Sequence, residues 1–232
     1  MSGFIQSSAG SAAHSCLMHL HTHCEALGFE YSAFGRCLPV PVTRPRKAIY
    51  SNFPDSWQRH YQASGYVDID PTLTHGLRSS APAIWNEEFF AGARQLWDDA
   101  QPYGLCHGVV QPRHEPGGAY SVLVLARSHT PITPGELEVK GPSLQWLAHW
   151  AHTKIPQSGE IDRLGPEDIE LTGREVEVLR WTADGKTALD IAGFMGVSER
   201  TVNFSINAAT IKLNASNKTS AAVRAALLGL LW

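Results

Sequence analysis

The hydrophobic pattern of this 232-residue chain changes character near residue 170. Beyond that point apolar positions recur at helical spacing, and each run is bracketed by start and stop signals. Thr172-Gly-Arg-Glu175 has the form of a capping box, in which the threonine and the glutamate satisfy each other's backbone N–H groups. It predicts a helix with Val176, Leu179 and Ala183 on its apolar face, closed by Gly185. Thr187 to Asp190 opens a second helix carrying Leu189, Ile191, Ala192 and Met195, and Gly196 closes it. Ser198 caps a third, with Val197 and Val202 at the spacing of a hydrophobic staple. A fourth starts near Ser216 or Asn217 and runs to Gly229.

Before residue 155 the periods are mixed. Helices are expected over Ser11–Leu27, Trp57–Gly65, about Thr72–Arg78, Phe89–Tyr103 and Glu136–Thr153. Strand-like runs cover Phe29–Leu38, Gly108–Gln111 and Tyr120–Ala126, the last two joined by the turn Glu-Pro-Gly-Gly. Ile84-Trp85 is short and apolar. Helices, a hairpin and a closing helix predict an α+β fold, an α/β/α sandwich around an antiparallel sheet, followed by the all-α four-helix tail. The segment between them, 155–168, is polar and holds two prolines and two glycines, which is linker composition. The expected organisation is a domain over 1–154, a linker over 155–168 and a second domain over 169–232.

Composition narrows the function. With 43% hydrophobic and 18% charged residues the chain reads as an ordinary globular protein. No apolar run is long enough to span a bilayer, and Met1–Ala13 lacks the basic start of a secretory signal, so the protein is expected in the cytoplasm without a membrane partner. The net charge of −3 is unevenly placed: seven bases and five acids follow Leu171, while twelve bases and seventeen acids precede it. A mildly basic tail beside an acidic domain suits nucleic-acid binding by the tail.

Two helices joined by a tight glycine-containing turn form the helix-turn-helix pattern, whose second helix enters the major groove. On the third helix of the tail, Val202, Ile206, Ala209 and Leu213 make a buried stripe. Asn203, Asn207, Thr210 and Asn214 repeat that spacing one residue later, and asparagine is the bidentate partner of adenine. Arg200, Ser205, Lys212, Lys186 and Thr187 are candidates for holding phosphates. Spacing alone fits equally an amphipathic domain used only for protein contacts.

The string Leu-Thr-Gly-Arg-Glu-Val-Glu-Val-Leu-Arg-Trp-Thr-Ala-Asp-Gly-Lys-Thr, then Ile-Ala, then Val-Ser-Glu-Arg-Thr-Val-Asn-Phe, resembles the LuxR-type helix-turn-helix over nearly all of Leu171–Leu231. Glu175, Leu179 and Gly185 stand where that family's hallmark residues stand. The family often carries Lys and His where this chain has Asn203 and Ser205, which implies an altered operator or a weaker phosphate grip. Response regulators share this tail, but Met1–Ser80 lacks the acidic pair and phospho-accepting aspartate of a receiver domain.

In the N-terminal domain Trp57 and Tyr61 lie at i and i+4, on one helical face. Asp70-Pro71 and Trp85 follow. Asp70 has two readings: an N-cap for a helix with Pro71 in its first position, or a buried acceptor for a ligand N–H. Trp57 can only donate, as to a ligand carbonyl. Trp57, Tyr61, Asp70, Pro71 and Trp85 resemble the autoinducer-binding domain of LuxR-type receptors, closest in pattern to orphan receptors, and Leu105-Cys-His-Gly108 resembles its glycine segment. The resemblance spans roughly Phe29–Arg127 and implies an N-acyl homoserine lactone ligand, with Trp57 on the lactone carbonyl, Asp70 on the amide N–H and no other cofactor. Where that family commonly has hydroxyl donors, this chain has Phe53, Val124 and Ala33. Their loss implies a preference for long, unsubstituted acyl chains. The alternative is the same DNA-binding regulator responding to another metabolite or to a protein partner.

Other constellations are weaker. His19 and His23, in a group with His14 and His21, could share a metal at i, i+4, or form an exposed polar face. Cys16, Cys24, Cys37 and Cys106 show no metal spacing and read as reduced apolar fillers. No nucleophile lies in a catalytic context, so an enzyme is not expected. Trp146, Leu147, Trp150 and Ala151 stripe the helix before the linker, either as core or as the seam of a homodimer whose paired heads match a palindromic site.

Overall fold

The computed structural model describes residues 4–6, 11–115, 118–155 and 169–232. The linker beyond Ile155, the centre of the Glu-Pro-Gly-Gly turn and the side chain of His14 lie outside the described residues. The chain divides into two compact units. One comprises Met1–Leu38, Arg44–Glu115 and Tyr120–Gly159, and the other comprises Glu160–Trp232 with Pro39–Thr43 and Pro116–Ala119.

The first unit is built on a six-stranded sheet in the order β1-β3-β2-β6-β5-β4. Its strands are β1 (Phe4–Gln6), β2 (Tyr31–Leu38), β3 (Arg46–Ser51), β4 (Ala83–Ile84), β5 (His107–His114) and β6 (Tyr120–Arg127). All neighbours are antiparallel except the edge strand β1, which runs parallel to β3. Every residue of β6 is buried, as expected for a central strand covered on both faces. Alternation then sorts its side chains. Val122 and Val124 face a cavity, while Arg127, of opposite parity, meets the long helix α5 (Pro134–Lys154) through Glu136.

Helix α1 (Ser11–Ala26) packs on β2 and α5, and α5 covers β5 and β6. Charge fixes α5 to the sheet. The Arg127 guanidinium forks onto both Glu136 oxygens at 2.9 and 2.7 Å, and Lys140 donates to the same carboxylate at 2.6 Å. Those hydrogen bonds hold the Glu136 carboxyl down to about 2. On the other face α3 (Pro71–Arg78) crosses β5 and β6, with α2 (Asp55–Ala63) and α4 (Arg94–Ala100) beside it.

Two differences from the sequence pattern have simple causes. The helix expected over Phe89–Tyr103 arrives in three pieces: a 3₁₀ turn at Ala91–Ala93, then α4, then a second 3₁₀ turn at Gln101–Tyr103. Pro102 cannot donate to the helical ladder, and Gly104 ends the segment at φ +80°. Strand β3 was not expected at all, because Arg-Lys-Ala-Ile-Tyr-Ser opens with two cations and offers one β-branched residue.

Among the described residues the second unit holds four helices: α6 (Gly173–Ala183), α7 (Ala188–Met195), α8 (Glu199–Lys212) and α9 (Lys218–Leu227). Each start is capped from within. Thr172 with Glu175 and Thr187 with Asp190 form complete capping boxes, Ser198 accepts from the Thr201 N–H, and Asn217 accepts from the Ser220 N–H. Val178, Ile191, Ala192, Val202 and Ile206 form one core cluster, with Val197 and Met195 packed against it. Val178 therefore replaces Ala183, which is exposed, on the buried face of α6.

Candidate ligand cavity and nucleic-acid interface

Between the sheet and helices α2, α3 and α4 lies a cavity of about 80 Å³. A single water needs roughly 10–15 Å³ of such space, and close-packed cores leave few larger voids. Its walls bring together all seven residues singled out in the sequence: Ala33, Phe53, Trp57, Tyr61, Asp70, Trp85 and Val124. The rest of the lining is mainly apolar, with Ile49, Leu73, Phe90, Leu96 and Leu105.

Asp70 is both of the things its sequence context allowed. It is the N-cap of α3, accepting the Thr72 N–H at 2.8 Å and the Thr72 hydroxyl at 2.7 Å on Oδ1. Its other oxygen accepts the Tyr61 hydroxyl at 2.8 Å inside the cavity wall. Burial raises its carboxyl above the usual aspartate value, against the lowering effect of those hydrogen bonds. Burial, and then the adjacent Asp70 charge, push the Tyr61 phenol well above its ordinary value, so Tyr61 stays a donor. Trp57 stands edge-on to Tyr61 at 5.9 Å, and its indole N–H meets no acceptor among the described residues.

Trp85 is placed by a missing side chain. Its backbone N–H donates to the Gly108 carbonyl at 2.8 Å. A Cβ on Gly108 would lie 2.3–2.6 Å from the indole ring atoms. Only glycine lets the ring lie flat on β5. Sequence reasoning missed three polar neighbours of the cavity, Ser51, Gln58 and Thr72. Ser51 sits on the unexpected β3, directly opposite Ala33, which in turn faces Val124. A hydroxyl is thus present one strand away from the position where the pattern lacks one. Thr72 could have been found as the N2 residue that a capping aspartate addresses.

On α8 the structure divides the candidates for nucleic acid. Arg200, Asn203 and Asn207 are exposed on one side, around a shallow concavity that Glu199 and Phe204 also line. Lys186 is exposed before α7. Thr187 has its hydroxyl engaged by Asp190 at 2.6 Å. Thr210 is half-buried and donates to the Ile206 carbonyl at 2.7 Å. Two expectations, for Ser205 and Asn214, are corrected, and Lys212 is found in an ion pair. Ser205 is buried and donates to the Thr201 carbonyl at 3.2 Å, so it faces the core and reaches no phosphate. Lys212 donates to Glu175 at 2.8 Å, tying the end of α8 to the start of α6. Asn214 lies beyond the helix in left-handed backbone (φ 48°), a stop residue and not part of the polar stripe. Burial raises the Glu175 carboxyl, but Lys212 and the Thr172 N–H together bring it below the usual glutamate value.

The His19 and His23 rings lie 4.4 Å apart, against Trp150 and Trp146 at 4.8 and 6.0 Å. No group of three or more metal-binding side chains occurs among the described residues. Cys24 and Cys37 are buried, and burial pushes their thiols up to about 12 and about 11.

The two units match two known families in chain order. Residues 13–155 match the autoinducer binding domain, and residues 170–225 match the bacterial regulatory proteins of the luxR family. The chain belongs to the LuxR family. The transcriptional activator protein SolR of Ralstonia nicotianae is 43% identical over 206 residues, spanning 88% of this chain and 87% of that protein. The crystal structure of Escherichia coli SdiA matches with a TM-score of 0.80 at 33% identity, covering 96% of this chain and 93% of that one. A second SdiA structure, in complex with octanoyl-rac-glycerol, matches at 0.77 and 32% identity, covering 96% and 91%. This LuxR-family chain is a ligand-responsive, DNA-binding transcription regulator of the quorum-sensing type, and not an enzyme. Among the described residues no helix is long and apolar enough to cross a membrane.

Proposed function

We propose that the sensor domain binds an N-acyl homoserine lactone with a long, unsubstituted acyl chain, and that the liganded protein acts in the cytoplasm as a homodimer on a palindromic operator. The observation that carries this reading is Asp70, a half-buried carboxylate in the wall of an apolar cavity. Three donors fill three of its roughly four acceptor directions, which leaves one for a ligand amide N–H. The unpaired Trp57 indole suits a lactone carbonyl, and the apolar walls suit the chain. Phe53, Ala33 and Val124 offer nothing to a 3-oxo group. The exposed Trp146, beside the inward-facing Leu147 and Ala151, supplies the dimer seam.

Closing the cavity around the acyl chain stabilises the native state. A ligand at 100 times its Kd adds about 2.7 kcal/mol. Thermal unfolding against lactones of increasing chain length is expected to show a rise that peaks at one length, with unsubstituted ligands ahead of 3-oxo ligands. No shift from folded protein across the series refutes the lactone reading. A second reading, an acyl ligand with a different polar head, is favoured by the octanoyl-rac-glycerol bound in the similar SdiA structure. Including that compound in the series separates the two.

A further inference from the structure

At 100° per residue, the side of α8 opposite its buried stripe is centred on Arg200, Phe204, Asn207 and Ile211. Phe204 is 76% exposed there. Phe194, also exposed, leans on Trp181 at 4.8 Å, but no aromatic ring meets Phe204 among the described residues. A bare phenylalanine in water gives up the burial that its ring can supply. The concavity around it is lined by one acid, one base and two asparagines, Glu199, Arg200, Asn203 and Asn207. Its charges balance, so beyond Arg200 itself it has no net pull on phosphate. What it offers is amide groups for base edges and one apolar surface.

We infer that Phe204 is a specificity-determining residue, packing on a thymine C5-methyl in the major groove beside an adenine read by Asn207. The inference rests on α8 being the groove-entering helix. The thymine methyl is the one apolar group on the major-groove floor, and apolar side chains are its natural contacts. Phe204 and Asn207 are three residues apart on one helical face, about 5–6 Å between Cβ atoms. Base pairs rise roughly 3.4 Å per step, so the thymine lies one or two steps from the adenine.

The test uses the full-length protein with N-decanoyl homoserine lactone present, enriching sites from a random duplex pool. Each half-site is expected to hold one indispensable thymine. Replacing that thymine by deoxyuridine, which removes only the methyl, is expected to weaken wild-type binding about fourfold. Phe204→Ala is expected to unfold at the wild-type temperature, to bind thymine and deoxyuridine sites equally, and to stop selecting that thymine. If Phe204→Ala selects the same site with the same deoxyuridine penalty, the inference is wrong. Asn207→Ala shows how much falls with it. Should Asn207→Ala change the selected site while Phe204→Ala does not, only the role of Phe204 is lost. Should neither change it, α8 is not the reading helix.

Discussion

In the sensor domain the polar groups Asp70, Tyr61 and Thr72 line the cavity, withdrawn from bulk solvent and already bonded to one another. In the DNA-binding domain Arg200, Asn203 and Asn207 stand in solvent, on a helix whose placement is the task of other residues. On the proposed reading, recognition and stability share atoms in the first unit and are divided between residues in the second. A pocket must hold its donors and acceptors in fixed positions before a small ligand arrives, whereas a helix meeting DNA needs only its axis fixed. The Lys212–Glu175 pair and the capping boxes do that fixing away from the reading surface.

This contrast is broken most sharply by Asp70→Ala set against Asn203→Ala plus Asn207→Ala. The first removes a cap and leaves the Tyr61 and Thr72 hydroxyls unpaired, so urea unfolding should show a loss of roughly 3–5 kcal/mol, with no ligand response. The second should leave stability within about 0.5 kcal/mol and abolish specific operator binding. If the asparagine pair proves as costly to stability as Asp70, the division of labour does not exist.

Gly108→Ala is the next largest. Its methyl must displace the Trp85 ring, which should cost about 2 kcal/mol by overpacking and weaken ligand-induced stabilisation further. An unchanged ligand response would show that Trp85 is not held in place by this contact.

Glu136→Gln should cost about 2 kcal/mol at pH 7, measured by urea unfolding. The folded carboxyl is depressed to about 2 from an ordinary 4.5, so the stability it contributes is present above 4.5 and drains away as the pH falls toward 2. The gap between variant and wild type should close over that range. A constant gap would mean that the loss is one of packing.

The smallest effect separates Lys212 from Arg200. Arg200→Ala should lower the slope of log K against log salt by about one, the signature of a lost phosphate contact. Lys212→Met should leave that slope alone while lowering the unfolding temperature. A reduced slope for Lys212→Met would return this lysine to the DNA surface.

The tail was the more legible half, because its signals are local. Thr172, Thr187, Ser198 and Gly196 each act within four residues of themselves, so the caps and the helix ends could be read directly. Ser205 misled because periodicity reports which side of a helix a residue occupies only to within a side chain's width. The partner that engages Lys212 lies 37 positions away. In the sensor domain the cavity residues were visible through resemblance, and the cap reading of Asp70 through its neighbours. The shape that unites them was not. Ser51 lies on a strand with no strand-like pattern, and the row Ser51–Ala33–Val124 exists only once three strands pair.

The double engagement of Asp70 also bears on how receptors of this design can change over generations. On the proposed reading a substitution there unseats the start of α3 along with the ligand, so its carriers are expected to be lost before any new specificity can be tried. Ala33, Phe53 and Val124 touch the same cavity without holding any helix end. Descendants that answer to new signals are therefore expected to differ at those three positions and to keep the aspartate, whatever molecule they have come to hear.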